Sequence, residues 1–262
     1  MFRHRAQLSI QGGWIYAKIP TKMHWAPGTH VFVRFASIRP LESHPFTIYS
    51  IPSSDGQETN EMVLIIRPEN GFTDVLAKAA EKSDPQDKFL VILDGPYGEV
   101  GFNALRSYEH VLLLAAGTGI TFVAPILFDI ILAMKKKEGP CLDVELTWVV
   151  KHTDDIKRFE SEFLEAKAAA EQAGGKATIS VHNIVFRNGR PDIPTIVSSK
   201  GNTWTGRFVD LCPLSLTRPM LWLAFNWRSY EDERAVQKCT FALKDLDGKA
   251  LSKHLYRLAI KT

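Results

Sequence analysis

A change of pattern near Gly98 divides this sequence into two parts that fold in different ways. Before Gly98, short stretches rich in β-branched and aromatic residues alternate with turn signals, and this pattern predicts strands. After Gly98, continuous apolar runs alternate with stretches of helical length, which is typical of a parallel sheet buried on both faces. The 262 residues suffice for two separate cores. We therefore predict an all-β unit followed by an α/β unit.

The first unit is predicted to be a six-stranded antiparallel barrel, because closing six short strands removes their exposed edges. A Gly12-Gly13 pair separates the first two strands as a hairpin signal. A helix interrupts the strands over residues 71–82, where apolar residues recur at helical spacing. The predicted strands are residues 6–10, 14–19, 30–35, 46–51, 62–67 and 89–94. Residues 94–98 are predicted to form a rigid turn that ends the barrel.

The second unit is predicted to be an α/β nucleotide-binding domain with a parallel sheet. Asp154 is the expected N-cap of its second helix, and Gly174-Gly175 ends that helix. Its predicted strands are 111–115, 144–150 and 177–185, with helices at 121–136 and 154–173. We place the barrel at residues 1–98, a linker at 99–109 and the nucleotide-binding domain at 110–262, of which 210–262 is atypical.

An uncharged stretch over residues 111–128 meets the length threshold for a membrane-spanning helix. Gly117, Gly119 and Pro125 interrupt it and Asp129 follows it, so a strand, a glycine turn and a helix are the better prediction. The net charge of +3, with dispersed basic residues, gives no reason to expect a nucleic-acid partner. Three widely spaced cysteines indicate neither a disulfide framework nor a zinc site, and no metal site is predicted.

The segment from His44 to Ser50 carries the first chemical signal. A flavin ring needs an aromatic or apolar surface to lie against and a hydroxyl or amide near its reactive nitrogen. Phe46 and Thr47 supply these groups from a strand end. The alternative is an ordinary turn followed by a barrel strand.

Two glycine-containing helix starts carry the second signal. Gly71 lets the backbone approach a ligand, and the helix N-terminus beside Thr73 suits a pyrophosphate. Gly117 and Gly119 follow a buried strand and open a helix, which is the context in which such a turn binds a dinucleotide. The full three-glycine motif is absent because Phe122 occupies the third position. A plain Asn-Gly turn is the alternative at Gly71.

Lys151 ends the second strand of the α/β unit, where a dinucleotide fold meets the adenosine ribose. A basic residue there accommodates the 2′-phosphate of NADP, and so Lys151 favours NADPH. Asp154 and Asp155 lie close by and favour NAD instead. A solvated strand end is the third interpretation of Lys151.

These motifs resemble the ferric reductase and NADPH oxidase family, in its C-terminal, ferredoxin-reductase-like region. Residues 27–35 followed by 43–48 look like its flavin-binding barrel, and the His-Pro-Phe-Thr form is closest to fungal ferric-chelate reductases. The likeness covers residues 6–207. It implies FAD at His44, Pro45, Phe46, Thr47, Ile48, Ser50, Gly71, Phe72 and Thr73, and NADPH at Gly117, Thr118, Gly119, Ile120, Thr121, Lys151, Cys212 and Pro213.

The sequence departs from the family in its last third. The family carries a Cys-Gly-Pro turn near the nicotinamide, whereas Cys212 is followed directly by Pro213. We expect the shortened turn to misplace Cys212 and to slow hydride transfer, because a glycine allows closer backbone approach. The apolar run at residues 219–227 matches no family pattern and is read as a buried strand or as an altered reading frame.

The resemblance implies an enzyme that passes hydride from NADPH to FAD and then single electrons to an acceptor such as a ferric chelate. Thr47 and Cys212 are its expected catalytic residues. The implied partner is a membrane segment or protein that bears haem, with this region on the cytosolic face and soluble by itself. Oxygen is the alternative acceptor, as in NADPH oxidases. The other alternative is a non-catalytic FAD-binding remnant that regulates a full-length reductase.

Overall fold

The fold is seen in a computed structural model that describes residues 2–53, 59–84, 86–98, 102–150, 152–183, 208–214, 221–227 and 242–244. After residue 181 the description covers the backbone alone.

The first unit is a six-stranded antiparallel sheet in the order β4-β3-β6-β1-β2-β5. The Tyr49 N–H donates to the Val63 carbonyl oxygen at 2.8 Å, and the Val63 N–H donates to Ser50 Oγ at 2.9 Å. These bonds join the two ends of the sheet and confirm the predicted barrel. Its strands are β1 Phe2–Gln11, β2 Trp14–Thr21, β3 His30–Phe35, β4 His44–Thr47, β5 Asn60–Ile66 and β6 Phe89–Tyr97.

Strand β2 is buried on both faces, which the alternation of side chains along a strand explains. Ile15 and Ile19 point into the barrel core and are completely buried. Trp14 and Tyr16 point the other way, into a second apolar cluster shared with the α/β unit. The two units therefore have separate cores, and β2 belongs to both.

Helix α1, Phe72–Lys82, covers the barrel through Leu76, Ala77 and Ala80, all of which are buried in its core. Its range matches the predicted helix within one residue. The predicted turn over 94–98 is wrong in part, because β6 stays paired as a strand through Tyr97, opposite His30 of β3.

The second unit is a six-stranded sheet in the order β12-β11-β10-β7-β8-β9. Four neighbouring strands, β10, β7, β8 and β9, are parallel, while β11 and β12 extend the sheet with antiparallel pairing. A 3-10 helix, Phe102–Ser107, precedes it. Its elements are β7 His110–Ala116, α2 Ile120–Lys136, β8 Asp143–Val150, α3 Thr153–Gln172, β9 Lys176–Asn183, β10 Phe208–Leu214, β11 Leu221–Trp227 and β12 Ala242–Lys244.

The strand order has one reversal that positions a site. From β7 the chain moves to β8 and then β9 on one side, whereas β10 lies on the other side of β7. In open α/β sheets, ligands bind at the carboxyl ends of the strands beside such a reversal. Here that place is the edge shared by the ends of β7 and β10.

The predicted N-cap of helix α3 is wrong. Its N-cap is His152, not Asp154, and Asp154 lies in the first turn with Lys157 Nζ 3.2 Å from its carboxylate. A carboxylate in the first turn still interacts favourably with the helix dipole. The other end is confirmed, because Gly174 follows the helix with a positive φ of 79°.

Among the described residues, one helix, Gly117–Lys136, is long and apolar enough to cross a membrane. Most of it is buried, between the parallel sheet and neighbouring elements of the fold. The predicted sequence of strand, glycine turn and helix over residues 111–128 is confirmed by β7 and α2.

Candidate functional site

The N-terminus of α1 begins at Gly71, which has a φ of 90° and is followed by a helix with no side-chain cap. A Cβ at Gly71 would meet no atom within 4 Å, so open space lies beside the first N–H groups of the helix. The Thr73 hydroxyl accepts the Glu69 N–H at 2.9 Å and donates to the Glu69 carbonyl oxygen at 3.0 Å. The Thr73 side chain therefore holds the loop that leads to Gly71.

An aromatic cluster joins this helix start to β4. The rings of His44 and Phe72 are stacked with centroids 4.1 Å apart, and Phe46 lies 6.4 Å from each of them. The structure thus brings together the two segments that the sequence assigns to FAD. They form a partly exposed aromatic surface next to an uncapped helix N-terminus, which suits a flavin nucleotide.

The residues that follow β4 hold the strand end in place. Thr47 is only 6% exposed, and the side chain of Ile48 lies in the barrel core. The Ile48 N–H donates to the Thr29 carbonyl oxygen at 2.9 Å. The Ser50 carbonyl oxygen accepts the indole N–H of Trp25 at 2.7 Å. Pro45, in contrast, is exposed on β4.

The glycine turn at the carboxyl end of β7 has the same features as Gly71. Gly117 has a φ of 52°, a Cβ there would meet no atom within 4 Å, and α2 begins without a side-chain cap. The Thr121 hydroxyl donates to the Thr118 carbonyl oxygen at 2.9 Å and is buried. Gly119 and Ile120 are also buried, whereas Gly117 and Thr118 are half-buried.

Cys212 and Pro213 lie near the carboxyl end of β10, beside the Gly117 edge of the sheet. The predicted turn is wrong here. The backbone is a strand that pairs with β7 as far as Leu211 and with β11 as far as Leu214. Pairing with β11 keeps Cys212 and Pro213 extended beyond the point where the pairing with β7 ends. The run at 219–227 contains strand β11, which agrees with the strand interpretation of that run.

Lys151 lies outside the described residues, but the structure shows the contacts of the two nearby carboxylates, Asp154 and Asp155. Asp155 is 6% exposed and points at the barrel, where it accepts the Trp14 indole N–H at 3.1 Å and binds the Arg67 guanidinium at 2.8 Å. Asp154 is exposed and pairs with Lys157. The carboxylate of Asp155 is therefore already committed to the barrel.

Sequence reasoning missed this interface altogether. The Tyr49 hydroxyl donates to the Glu162 carboxylate, and Arg158 lies 4.5 Å above the ring of Tyr16. Burial, and then the neighbouring Glu162 carboxylate, raise the pKa of Tyr49 well above its ordinary value. A cavity of about 700 Å³ opens beside these residues. Arg67 stands in the sequence directly before the Gly71 loop, and that was the one available signal.

Both helix starts fit the phosphates of a dinucleotide, because each combines a glycine of positive φ, open space beside that glycine and a helix N-terminus without a side-chain cap. A flavin-type barrel with an aromatic surface, followed by a nucleotide-binding sheet, defines a ferredoxin-reductase-like flavoprotein oxidoreductase.

Comparison with known proteins identifies the family within this class. Residues 14–101 match the family model of an FAD-binding domain, and residues 108–188 match that of a ferric reductase NAD binding domain. The probable cell surface ferric reductase kap2 of Aspergillus oryzae is 32% identical over 154 residues, which are 56% of this chain and 20% of that protein. NADPH oxidase 5 of Homo sapiens is 27% identical over 179 residues, covering 56% of this chain and 23% of that protein.

A ferredoxin NADP+ reductase from Neisseria gonorrhoeae, solved with bound FAD and NADP, shares the fold with a TM-score of 0.51 and 14% identity over 76% of each chain. The chain belongs to the ferric reductase and NADPH oxidase family, as its FAD- and NAD-binding region. It spans about a fifth of the length of the curated relatives described above.

Proposed function

We propose that this chain passes hydride from NADPH to FAD and then single electrons to an acceptor, as the electron-input region of a ferric reductase. The observation that carries the proposal is the Arg67–Asp155 ion pair. Arg67 precedes the Gly71 loop of the barrel, and Asp155 lies in the first turn after the carboxyl end of β8. This contact supports the proposal, because it joins the loop that would bind FAD to the edge of the second sheet that would bind the nucleotide.

The barrel residues would bind and orient the flavin nucleotide. The start of α1 at Gly71 would hold its pyrophosphate, and His44, Phe46 and Phe72 would supply an apolar surface. Thr47, at the end of β4, would place a hydroxyl beside the reactive ring nitrogen. When bound, FAD supplies the ring that accepts hydride and gives up electrons one at a time.

The α/β unit would bind NADPH along the carboxyl edge of its sheet. The Gly117 turn would hold the pyrophosphate, and Lys151 would pair with the 2′-phosphate of the ribose. Cys212 and Pro213, near the end of β10, would border the nicotinamide. No general base is required, because hydride moves between the two cofactors.

The acceptor side would lie in a haem-bearing membrane segment, with this region on the cytosolic face. Ferric chelate is the favoured final acceptor, since kap2 is named a ferric reductase and the chain carries the His-Pro-Phe-Thr form at residues 44–47. The similarity to NADPH oxidase 5 supports oxygen as the second candidate.

Anaerobic stopped-flow mixing of the FAD-loaded chain with NADPH tests the proposal. We expect the flavin absorbance near 450 nm to be lost on mixing, and turnover to follow when ferricyanide is added. Faster turnover with oxygen than with ferricyanide would favour the oxidase alternative. A flavin that dithionite bleaches but NADPH does not would indicate the non-catalytic remnant instead.

A further inference from the structure

Among the described residues, one face of α3 makes polar contacts with the barrel. Asp155, Arg158, Phe159 and Glu162 follow one another at intervals of three, one and three residues, so they lie along a single stripe of the helix. Each of the four contacts the barrel or lies against its aromatic rings. We call these four residues the α3 stripe.

The two carboxylates of the α3 stripe reach the two segments assigned to FAD. Asp155 binds Arg67, which lies four residues before Gly71, with 2.8 Å between Oδ2 and Nη1. Glu162 accepts the hydroxyl of Tyr49, which lies two residues after Thr47. Each FAD-binding segment is therefore anchored to the same helix, and that helix begins immediately after the strand end that would meet the NADPH ribose.

Each of these carboxylates is largely or partly buried and has defined partners. The side chain of Asp155 is 9% exposed, and both of its partners, Trp14 and Arg67, come from the barrel. Glu162 is shared between Tyr49 and Arg158, whose Nη1 lies 3.0 Å from Oε1. Removing one member of a largely buried pair leaves the other charge uncompensated. Both carboxylates therefore link the barrel to α3.

We propose that Asp155 and Glu162 are positioning residues that fix the Arg67 and Tyr49 segments of the barrel against the NADPH-binding edge. This inference rests on the proposed hydride transfer from NADPH to FAD. Hydride transfer depends steeply on the separation of donor and acceptor, and a displacement of about 1 Å costs roughly a hundredfold in rate. A rigid contact between the two units would keep that separation constant.

The first test needs no cofactor. Small-angle X-ray scattering is recorded for the parent chain, Asp155→Asn, Glu162→Gln and the double variant. We expect the radius of gyration to increase in the double variant, because the apolar contacts of Trp14 and Tyr49 with Phe159 then hold the two units without the polar anchors. Asp154→Asn and Glu160→Gln change the same charges on exposed positions of α3 and should scatter like the parent. An unchanged profile for the double variant would overturn the proposal.

The second test separates binding from transfer. With FAD bound, we expect the limiting rate of flavin reduction by NADPH to fall at least about tenfold in Asp155→Asn and Glu162→Gln. The NADPH concentration for half-saturation should change less than about twofold, because the NADPH contacts lie at the Gly117 turn. Dithionite should reduce the flavin of every variant equally fast. Parent-like limiting rates in both variants would refute the positioning role.

Arg67→Lys is a control for misfolding. It keeps a positive charge opposite Asp155 but replaces the planar guanidinium and its several N–H donors with a single ammonium group. We expect its limiting rate to lie between those of the parent and Asp155→Asn, and a rate below that of Asp155→Asn would contradict the proposal. If NADPH fails to reduce even the parent flavin, the proposed function fails, while the scattering comparison still decides whether the anchors hold the two units together.

Discussion

The indole nitrogen of Trp148 donates a hydrogen bond to the carbonyl oxygen of Gly117 at 3.0 Å. Trp148 is completely buried in β8, and Gly117 is the first residue after β7. The glycine turn is therefore held by a side-chain hydrogen bond from the neighbouring strand β8. This bond, together with that between Thr121 and Thr118, fixes the backbone that would cradle the NADPH pyrophosphate.

Replacing Trp148 with Phe should loosen this turn. The lost hydrogen bond and the smaller ring should lower the free energy of unfolding by about 1–3 kcal/mol and weaken NADPH binding by roughly fivefold. Urea unfolding and a binding titration measure the two effects. Phe163→Leu removes volume from the same aromatic cluster without touching the turn and should lower stability alone. Equal NADPH affinity in Trp148→Phe and the parent would speak against the role of this bond.

The purified chain should be yellow and should release FAD on denaturation. Thr47→Val should weaken flavin binding or slow its reduction by roughly tenfold, because a methyl group replaces the hydroxyl expected beside the ring nitrogen. Fluorescence quenching of added FAD gives the affinity. Thr21→Val alters another buried threonine, on β2, and should leave the affinity unchanged. A colourless chain that takes up no added FAD would rule out the flavin assignment.

The barrel and the first half of the nucleotide-binding sheet could be predicted because their signals are local. An unbroken apolar run identifies β7, and Gly117 and Gly119 mark the point where the chain leaves the sheet. Strand β10 gives no such signal, since Pro213 lacks an N–H and proline normally argues against a paired strand. Its strand conformation depends on β7 and β11, which flank it in space.

Only part of the candidate site could likewise be predicted from the sequence. The glycine helix starts are each encoded in a short stretch, residues 67–73 and 115–121, from which the sequence predicts them. For Asp155 the sequence instead suggests a ribose ligand, because its partners Trp14 and Arg67 are 141 and 88 residues away along the chain. A contact over such distances is determined by the packing of two cores, which no local pattern reports.

Lys151→Glu should erode a preference for NADPH over NADH. A cation at the ribose end of β8 would contribute on the order of 1 kcal/mol or more to a phosphate contact, so the NADPH-to-NADH ratio of kcat/KM should fall at least about fivefold. Asp155 does not compete for the ribose, since its carboxylate is engaged by the barrel. Lys157→Glu changes an exposed lysine on α3 and should leave the ratio as it is. Equal kinetics with both nucleotides in the parent would refute the preference.

Cys141 should resist thiol reagents in the folded chain. Burial raises the pKa of its thiol to about 12, so at pH 8 almost no thiolate forms. Because the folded pKa exceeds the unfolded one, this group stabilises the fold below about pH 9 and loses that contribution as the pH rises towards 12. A Cys212→Ser/Cys239→Ser variant isolates the signal. We expect no labelling at pH 8 until denaturant is added, and rapid labelling of the native chain would contradict the assignment.

The bond from Tyr49 to Glu162 should make the stability of the chain sensitive to alkali. Burial and the Glu162 carboxylate raise the pKa of Tyr49 well above 10, so the folded chain favours the protonated phenol. The contact therefore stabilises fully below about pH 10, the ordinary pKa of tyrosine, and its contribution is lost as the pH rises above that value.

Tyr49→Phe should cost about 1–2 kcal/mol in urea unfolding at pH 8, because Glu162 loses a donor in a partly buried position. The difference between the parent and Tyr49→Phe should shrink between pH 10 and pH 11, since only the parent must keep a buried phenol protonated. Tyr97→Phe serves as the control for the cost at pH 8, because its hydroxyl donates to Asp94 on the exposed barrel surface and its loss should cost less than that of Tyr49. A stability difference for Tyr49→Phe that stays constant from pH 8 to pH 11 would show that the Tyr49 hydroxyl does not hold the barrel to α3 in the protonated form.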